Sequence, residues 1–518
     1  MPTYQSPGVY VEEVAAGARP LAGAGTAVAA FVGLAETGPF NTPTLVSNWT
    51  QFATTYGGFV PGSYLAQSVY GYFLNGGGNC YIVRVGQSES TNGPAPRSGR
   101  AKELAAAPTA QIGRLRVTVT EAGVEPGHVS VEITDPGGES PTADMFRLVV
   151  KRDGAVVEEF DRVSLGRGKT SVSTMVNTTS KLIQVEETGT GAVERIASGE
   201  TALIAPPAPA SQPSSALSAE DYVGDVAERT GLAGLEAIEE ITMLCVPDLM
   251  SAYQQGAIDL DTVQAVQTAM IAHAELMGDR IAILDPPPGF NAQQIKEWRV
   301  DKARYDSMYA ALYWPWVKTM NPATGLLSLM PPSGHIAGIW GRNDDTRGVH
   351  KAPANEVVRG AIDIEINITR NEHDLLNPEG INVIRAFPGR GIRVWGARTL
   401  SSDPAWRYLN VRRLFNYLEA SILNGTGWVV FEPNDPALWA KIRRTIAAFL
   451  VQEWRNGALF GATPDEAFYV KCDSETNPAE GIDAGQVVCE IGVAPVKPAE
   501  FVIFRLAQFS GGVSLVSE

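Results

Sequence analysis

The sequence predicts an α/β (α+β) multidomain chain with an inserted all-β domain and extended N- and C-terminal arms. Three observations carry that expectation. Apolar, β-branched runs alternate with helical patterns on both sides of a break in composition. Inside the break, short runs alternate apolar and polar residues between Asp-Pro-Gly-Gly and Arg-Asp-Gly turns. The two ends read as short extended segments, which cannot satisfy their own backbone groups and must add to a sheet. At 518 residues the chain is too long for one core, which implies two to four domains.

The chain opens as an arm. Pro2, Pro7 and Gly8 lead into an extended stretch in which Val9 and Val11 point one way and Tyr10 and Glu12 the other, up to Val14. Small residues at 17–25 form a hinge. Residues 26–36 (TAVAAFVGLAE) read as a buried strand and 37–43 as a turn. Residues 45–56 read as a strand end and a short helix capped by Ser47 or Asn48. A helix at 65–74 stops at Asn75-Gly76-Gly77-Gly78, and CYIVRV at 80–85 is a second core strand.

Composition shifts near Gln87. Residues 87–110 are rich in Ser, Gly, Pro and Ala, and 205–218 (APPAPASQPSSALS) form a linker. Between them, at 112–204, LRVTVTEA, HVSVEIT, FRLVVKRDG and AVVEEF alternate as strands of a separate module. Beyond the linker, residues 241–246 and 280–284 read as buried strands, stopped by Pro247-Asp248 and Asp285-Pro286. A helix from Asp261 places Val263, Val266, Met270 and Ala274 on one face. Residues 310–317 and 360–368 are apolar, 383–387 and 391–395 read as a hairpin, and 409–423 and 436–456 as amphipathic helices. A last strand covers 501–506, followed by a loose tail.

Charge and chemistry restrict the function. With 41 Lys+Arg against 57 Asp+Glu, the net charge of −16 disfavours a general nucleic-acid binder. The four cysteines, Cys80, Cys245, Cys472 and Cys489, show no C-x-x-C pairing and read as reduced thiols of a cytosolic protein. The start has no basic and apolar leader, and no run of about 18 apolar residues occurs. Gly168-Lys169-Thr170 ends like a phosphate loop, but Val163 stands where the pattern needs glycine. The five histidines are scattered, with His335 and His350 flanking a Gly-rich stretch. Neither a catalytic constellation nor a set of metal ligands stands out. The tryptophans, Trp314 and Trp316 and the set Trp395, Trp406, Trp428, Trp439 and Trp454, read as core and interface aromatics.

Seven stretches in order resemble the contractile phage tail-sheath family, including sheaths of extracellular and cytoplasmic contractile injection systems. They are YQSPGVYVEE (4–13), the run at 28–59, NGGGNCYIVRV (75–85), ALYWPWVKTMNP (311–322), and the runs at 331–355, 382–422 and 431–473. The resemblance covers about 1–86 and 220–518. It implies an arm and hinge at 1–25, a core domain at 26–86 and 220–380, and a variable outward-facing insertion at 87–219. It further implies a conserved C-terminal domain facing an inner tube at 381–500 and a terminal strand and tail at 501–518.

The family implies a non-enzymatic subunit, without cofactors, that polymerises as a helical sheath around an inner tube and contracts to drive that tube through a target envelope. Partners would be further copies of the chain, the inner tube protein, and baseplate and cap proteins, with no nucleic acid and no stable membrane association. Synthesis and assembly would be cytoplasmic, with particles released by lysis. Strand exchange between subunits would use Val9, Tyr10, Val11, Glu12 and Val14 at one end and Phe501, Ile503, Phe504 and Leu506 at the other. Lys441, Arg443 and Arg444, beside the apolar stripe of 436–456, would face an acidic inner tube. Two rivals use the same residues differently: a carbohydrate-binding or adhesive surface protein built on the β-module and aromatics, and an unrecognised α/β enzyme.

Overall fold

A computed structural model describes residues 21–86, 109–112, 115–119, 129–136, 145–152, 154–165, 170–187, 199–202 and 218–505. The chain divides into two compact units, one from Met1–Ser88 with Ser215–Glu518 and the other from Glu89–Ser214.

In the larger unit, the first part of the chain gives β1 (Ala29–Gly33), β2 (Thr44–Val46), α1 (Trp49–Tyr56), α2 (Leu65–Leu74) and β3 (Cys80–Arg84). It returns as β4 (Met243–Cys245), α3 (Asp248–Gln254), α4 (Leu260–Met277), β5 (Ile281–Leu284) and β6 (Ala310–Trp314). Next come β7 (Val317–Met320), β8 (Leu327–Met330), α5 (Ser333–Arg347), β9 (Ala361–Ile364), β10 (Ile381–Phe387) and β11 (Gly391–Val394). The last elements are α6 (Leu409–Thr426), α7 (Pro436–Arg455), β12 (Phe468–Lys471) and β13 (Glu490–Val493), with short helices between them.

Eight strands form the central sheet in the order β11-β10-β6-β5-β4-β1-β3-β2. The six from β10 to β3 run parallel, and β11 and β2 close the two ends antiparallel. Every residue of β1 (AAFVG), β5 (IAIL) and β6 (AALYW) is buried, as expected of strands covered on both faces. The faces still separate with a period of two. Ala30, Val32, Leu244, Leu284 and Leu312 enter one core, and Ala29, Phe31, Met243, Ile283 and Tyr313 the other.

Helices cover both faces. Asp259 caps α4, accepting from Thr262 N–H at 2.8 Å, and Val263, Val266, Met270 and Ala274 reach the first core on the expected stripe. Asn48 caps α1, settling the choice between Ser47 and Asn48. On the other face α2 and α5 cross at van der Waals contact of their backbones. A Cβ on Gly334 would stand 2.4 Å from the Ser68 carbonyl oxygen, and one on Gly338 2.3 Å from that of Tyr72. The spacing G-x-x-x-G therefore lets two helix backbones touch.

Pro315, with no N–H to donate, divides the apolar run at 310–317 into β6 and β7. The latter forms a three-stranded sheet, β8-β7-β9. The last part of the unit packs α6 and α7 over β12 and β13 through Leu414, Leu418, Leu438, Ile442, Ile446, Phe449 and Leu450. Asp435 caps α7 and Pro436 occupies its first turn.

The smaller unit holds two antiparallel sheets. One joins Gly199–Ala202, Val129–Thr134, Met145–Arg152 and Ala155–Ser164, and the other Thr109–Ile112, Leu115–Val119 and Ile183–Glu187. Its own core includes Val117, Val131, Ile133, Leu148, Val150 and Val185. The expectation of an all-β module needs one correction, a helix at Val172–Thr179. There Val172 and Val176 are buried while Thr174 between them is exposed, as on a helix; a strand would turn all three to one face.

Candidate assembly surface

Open parallel sheets bind ligands at the carboxyl ends of their strands, where the strand order reverses. That place lies between β1 and β4, and the chain fills it. The buried Asp248 carboxylate accepts from Leu34 N–H at 2.6 Å, Ser63 hydroxyl at 3.0 Å and Leu65 N–H at 3.2 Å, and also from Tyr64 N–H. It sits at the N-terminus of α2, where a nucleotide-binding sheet holds phosphate. One strand along, Asp285 accepts from Ser333 N–H at 2.8 Å and from its hydroxyl at 2.5 Å, capping α5. Burial pushes Asp248 up to about 6 and Asp285 up to about 7.

The candidate residues at the C-terminal end have a different character. β12 and β13 pair antiparallel as a sheet of two, and no other described strand joins either. Two strands alone are marginal in water. Beyond them the chain continues to Glu500, whose carboxylate takes Arg398 in a two-pronged ion pair at 2.9 and 2.6 Å and Asn377 at 2.8 Å. Burial works to raise the Glu500 carboxyl, but hydrogen bonds from Arg398 and Asn377 outweigh it and hold the group below the ordinary carboxylate range.

Past this clasp, Phe501, Val502, Ile503 and Phe504 are 72, 67, 78 and 85% exposed. Residues 501–505 pair with no described strand, so the strand expected at 501–506 has no partner among the described residues. Leu506 lies outside the described residues, as do Val9, Tyr10, Val11, Glu12 and Val14.

The three cations of α7 do not form one open patch. Lys441 Nζ lies 3.9 Å over the Trp428 ring, and Arg443 donates to the Cys472 carbonyl. Arg444 is exposed and shares the solvent face of α7 with Arg455. The apolar stripe of this helix, Leu438, Ile442, Ile446, Phe449 and Leu450, is buried as its spacing predicts.

Other candidates are absorbed by the core. His335 is buried against Gly71, where burial lowers it to about 4 and keeps the ring neutral. Trp314, Trp316 and Trp439 are buried, and Trp395, Trp406, Trp428 and Trp454 are half-buried, so none of them offers an exposed sugar platform. Among the described residues no group of three or more His, Cys, Asp or Glu could hold a metal ion. No described helix is long and apolar enough to cross a membrane.

Sequence reading missed the β12–β13 hairpin and the Arg398–Glu500 clasp. The hairpin left a faint signal in FYVK and EIGV, whereas the clasp joins residues 102 apart and left none.

Comparison with known proteins converges on one family. The phage tail sheath protein central domain matches residues 216–400 and the phage tail sheath C-terminal domain matches 401–509. These consecutive matches take in more than half of the chain. The tail sheath protein of Vibrio phage KVP40 is 26% identical over 292 residues, 54% of this chain and 41% of its own length. That of Salmonella phage ViI is 26% identical over 249 residues, 47% and 37%. The chain thus spans less than half the length of these two curated relatives.

Among solved structures, the anti-feeding prophage helical sheath in its contracted state has a TM-score of 0.58 at 24% identity, covering 98% of this chain and 100% of that chain. The contracted sheath complex of the extracellular contractile injection system PVC gives 0.56 at 22%, covering 98% and 99%. These likenesses show the fold. With two consecutive sheath domains matched in order along that fold, the chain belongs to the phage tail sheath protein family.

Proposed function

We propose that the chain is the structural, non-enzymatic subunit of a contractile sheath, one that polymerises around an inner tube and contracts to drive it forward. The observation that carries this reading is the run Phe501–Phe504, four apolar residues exposed in succession, in a chain that also holds a two-stranded sheet that no other described strand joins. Exposed apolar runs mark interaction sites, and an unpaired strand beside an open edge is complementary to it. A chain that carries both at one end, held apart by the Glu500 clasp, would complete its neighbour's hairpin rather than its own. Such a contact is head-to-tail and propagates as a helix. The arm at Val9, Tyr10, Val11, Glu12 and Val14 would supply a second strand to the same platform. Contraction would then be a rigid-body change between two packings of one folded subunit.

The inner tube would meet the solvent face of α7 through Arg444, and baseplate and cap proteins would take the two ends of the helical array. Assembly would be cytoplasmic and release by lysis. Sealing of the sheet's ligand crevice by Asp248 supports the non-enzymatic reading.

The test is electron microscopy of the high-speed pellet from producing cells carrying the intact gene or one ending at Glu500. Striated tubes are expected from the first, and a folded, unassembled chain in the supernatant from the second. Tubes from both would refute the terminal-strand account. Tubes from neither, with the full chain monomeric, would refute the sheath.

A further inference from the structure

The ladder of β12 and β13 runs from Phe468↔Val493 to Lys471↔Glu490, so the next facing positions are Cys472 and Cys489. The two thiols are free and lie within hydrogen-bonding reach of one another. Facing residues of an antiparallel ladder have Cα atoms about 4.5–5.5 Å apart, inside the roughly 4.4–6.8 Å that a disulfide spans. Asn477 holds both sides of the pair. Its amide donates to Cys472 Sγ at 3.8 Å and to the Val488 carbonyl at 3.0 Å, and its Oδ1 accepts from Val488 N–H at 2.6 Å. Arg443 donates to the Cys472 carbonyl, and its charge favours the thiolate at both sulfurs.

We propose that Cys472 and Cys489 form a reversible disulfide site that takes a low-molecular-weight disulfide, such as oxidised glutathione, as its oxidant. Exposure sets the order of events. Cys472 is buried and Cys489 is half-buried, so the small molecule meets Cys489 first. The Cys489 thiol loses its proton to water and its sulfur attacks one sulfur of the oxidant. A mixed disulfide forms and one thiolate leaves. Cys472 then loses its proton and attacks Cys489 Sγ, forming the Cys472–Cys489 bond and expelling the second thiolate. Two cysteines are oxidised by two electrons in all, and one small disulfide is reduced to two thiols. Burial raises both thiols, Cys489 to about 12, so thiolate is scarce near neutral pH and closure is slow, on the scale of hours.

The bridge would close residues 473–488 into a ring and pin one end of the two-stranded sheet. Chemistry at the site depends on this chain's geometry alone and not on the sheath reading. A released particle meets an oxidising medium that the cytoplasm withholds, so the bond would form after release.

The experiment treats the folded full-length chain with oxidised glutathione, quenches with acid, alkylates under denaturing conditions and maps tryptic peptides without reduction. No Lys or Arg lies between the two cysteines, so one peptide carries both. In the wild type that peptide is expected to lose two hydrogen masses and take up no alkylating agent, while Cys80 and Cys245 remain alkylated. Dithiothreitol should reverse the change. In Cys472→Ser, glutathione should stay trapped on Cys489. Two free thiols after oxidation, or a glutathione adduct persisting on wild-type Cys489, would overturn the proposal. So would faster uptake of glutathione by Cys472 in Cys489→Ser than by Cys489 in Cys472→Ser.

Discussion

Arg413 and Asp344 are both buried, at 4 and 3% side-chain exposure, and meet in a two-pronged ion pair at 2.9 and 2.6 Å. The guanidinium also lies 4.7 Å over the Trp340 ring. Taking one partner from such a pair strands the other charge, at a cost of about 3–5 kcal/mol. Asp344→Asn is therefore expected to lower the urea midpoint sharply, while a joint apolar replacement of both residues costs less than either single change. Sequence reading recognised the helix carrying Arg413 but not the arginine's burial. Its partner lies 69 positions away, and a charged pair of that separation has no local signature. The carboxylates of Asp248 and Asp285, at the carboxyl ends of the central strands, give a second test. Their folded-state values, about 6 and 7, lie above the ordinary value of 3.8, so the folded chain holds these protons more tightly than the unfolded chain. The stability they contribute is full below about pH 4 and is lost as pH rises through 6 and 7. Relative to Asp285→Asn, the wild type is expected to lose about 2 kcal/mol between about pH 5.5 and about pH 8, read from paired urea titrations. A constant difference would show that the Asp285 proton is not held.

Helix α7 shows how far periodicity reaches. Its buried stripe follows from a spacing of 3.6, which was legible; the cap at Asp435 is equally local but was not read. The use of its cations was not legible, because Trp428 and the Cys472 carbonyl come from other elements. That difference sorts the charge reversals. Arg444→Glu is expected to weaken co-sedimentation of sheath with inner tube several-fold at low salt and to leave the melting temperature unchanged. Arg443→Glu removes a hydrogen bond to the hairpin and should lower the melting temperature as well. Equal tube binding by wild type and Arg444→Glu would remove this helix from the inner-tube contact. β12 and β13 escaped notice for a related reason. Each has four residues, and a short helix, Ala479–Asp483, lies between them. Strands that short are identified by their partner, and the partner was not adjacent in sequence. The central strands were legible because burial on both faces makes each one apolar throughout.

On the scale of the molecule, the two units have separate apolar cores, one of them wholly within Glu89–Ser214. Separate cores unfold as separate transitions when few contacts join them. Calorimetry of the whole chain is expected to resolve two transitions. Replacing 89–214 by a flexible linker should delete one and leave the other within a few degrees of its place. A single transition that collapses on excision would mean that the larger unit depends on the smaller. The order of burial at the C-terminal end has a mechanical consequence. Any tension applied to residues beyond 500 reaches the Glu500 clasp before it reaches β13, and there it divides between Arg398, on the segment following β11, and Asn377, just before β10. The pull thus enters the eight-stranded sheet and its two cores, not the small hairpin that would come apart first. A filament of such subunits could be stretched or twisted through its terminal strands with each body carrying the load as a rigid block.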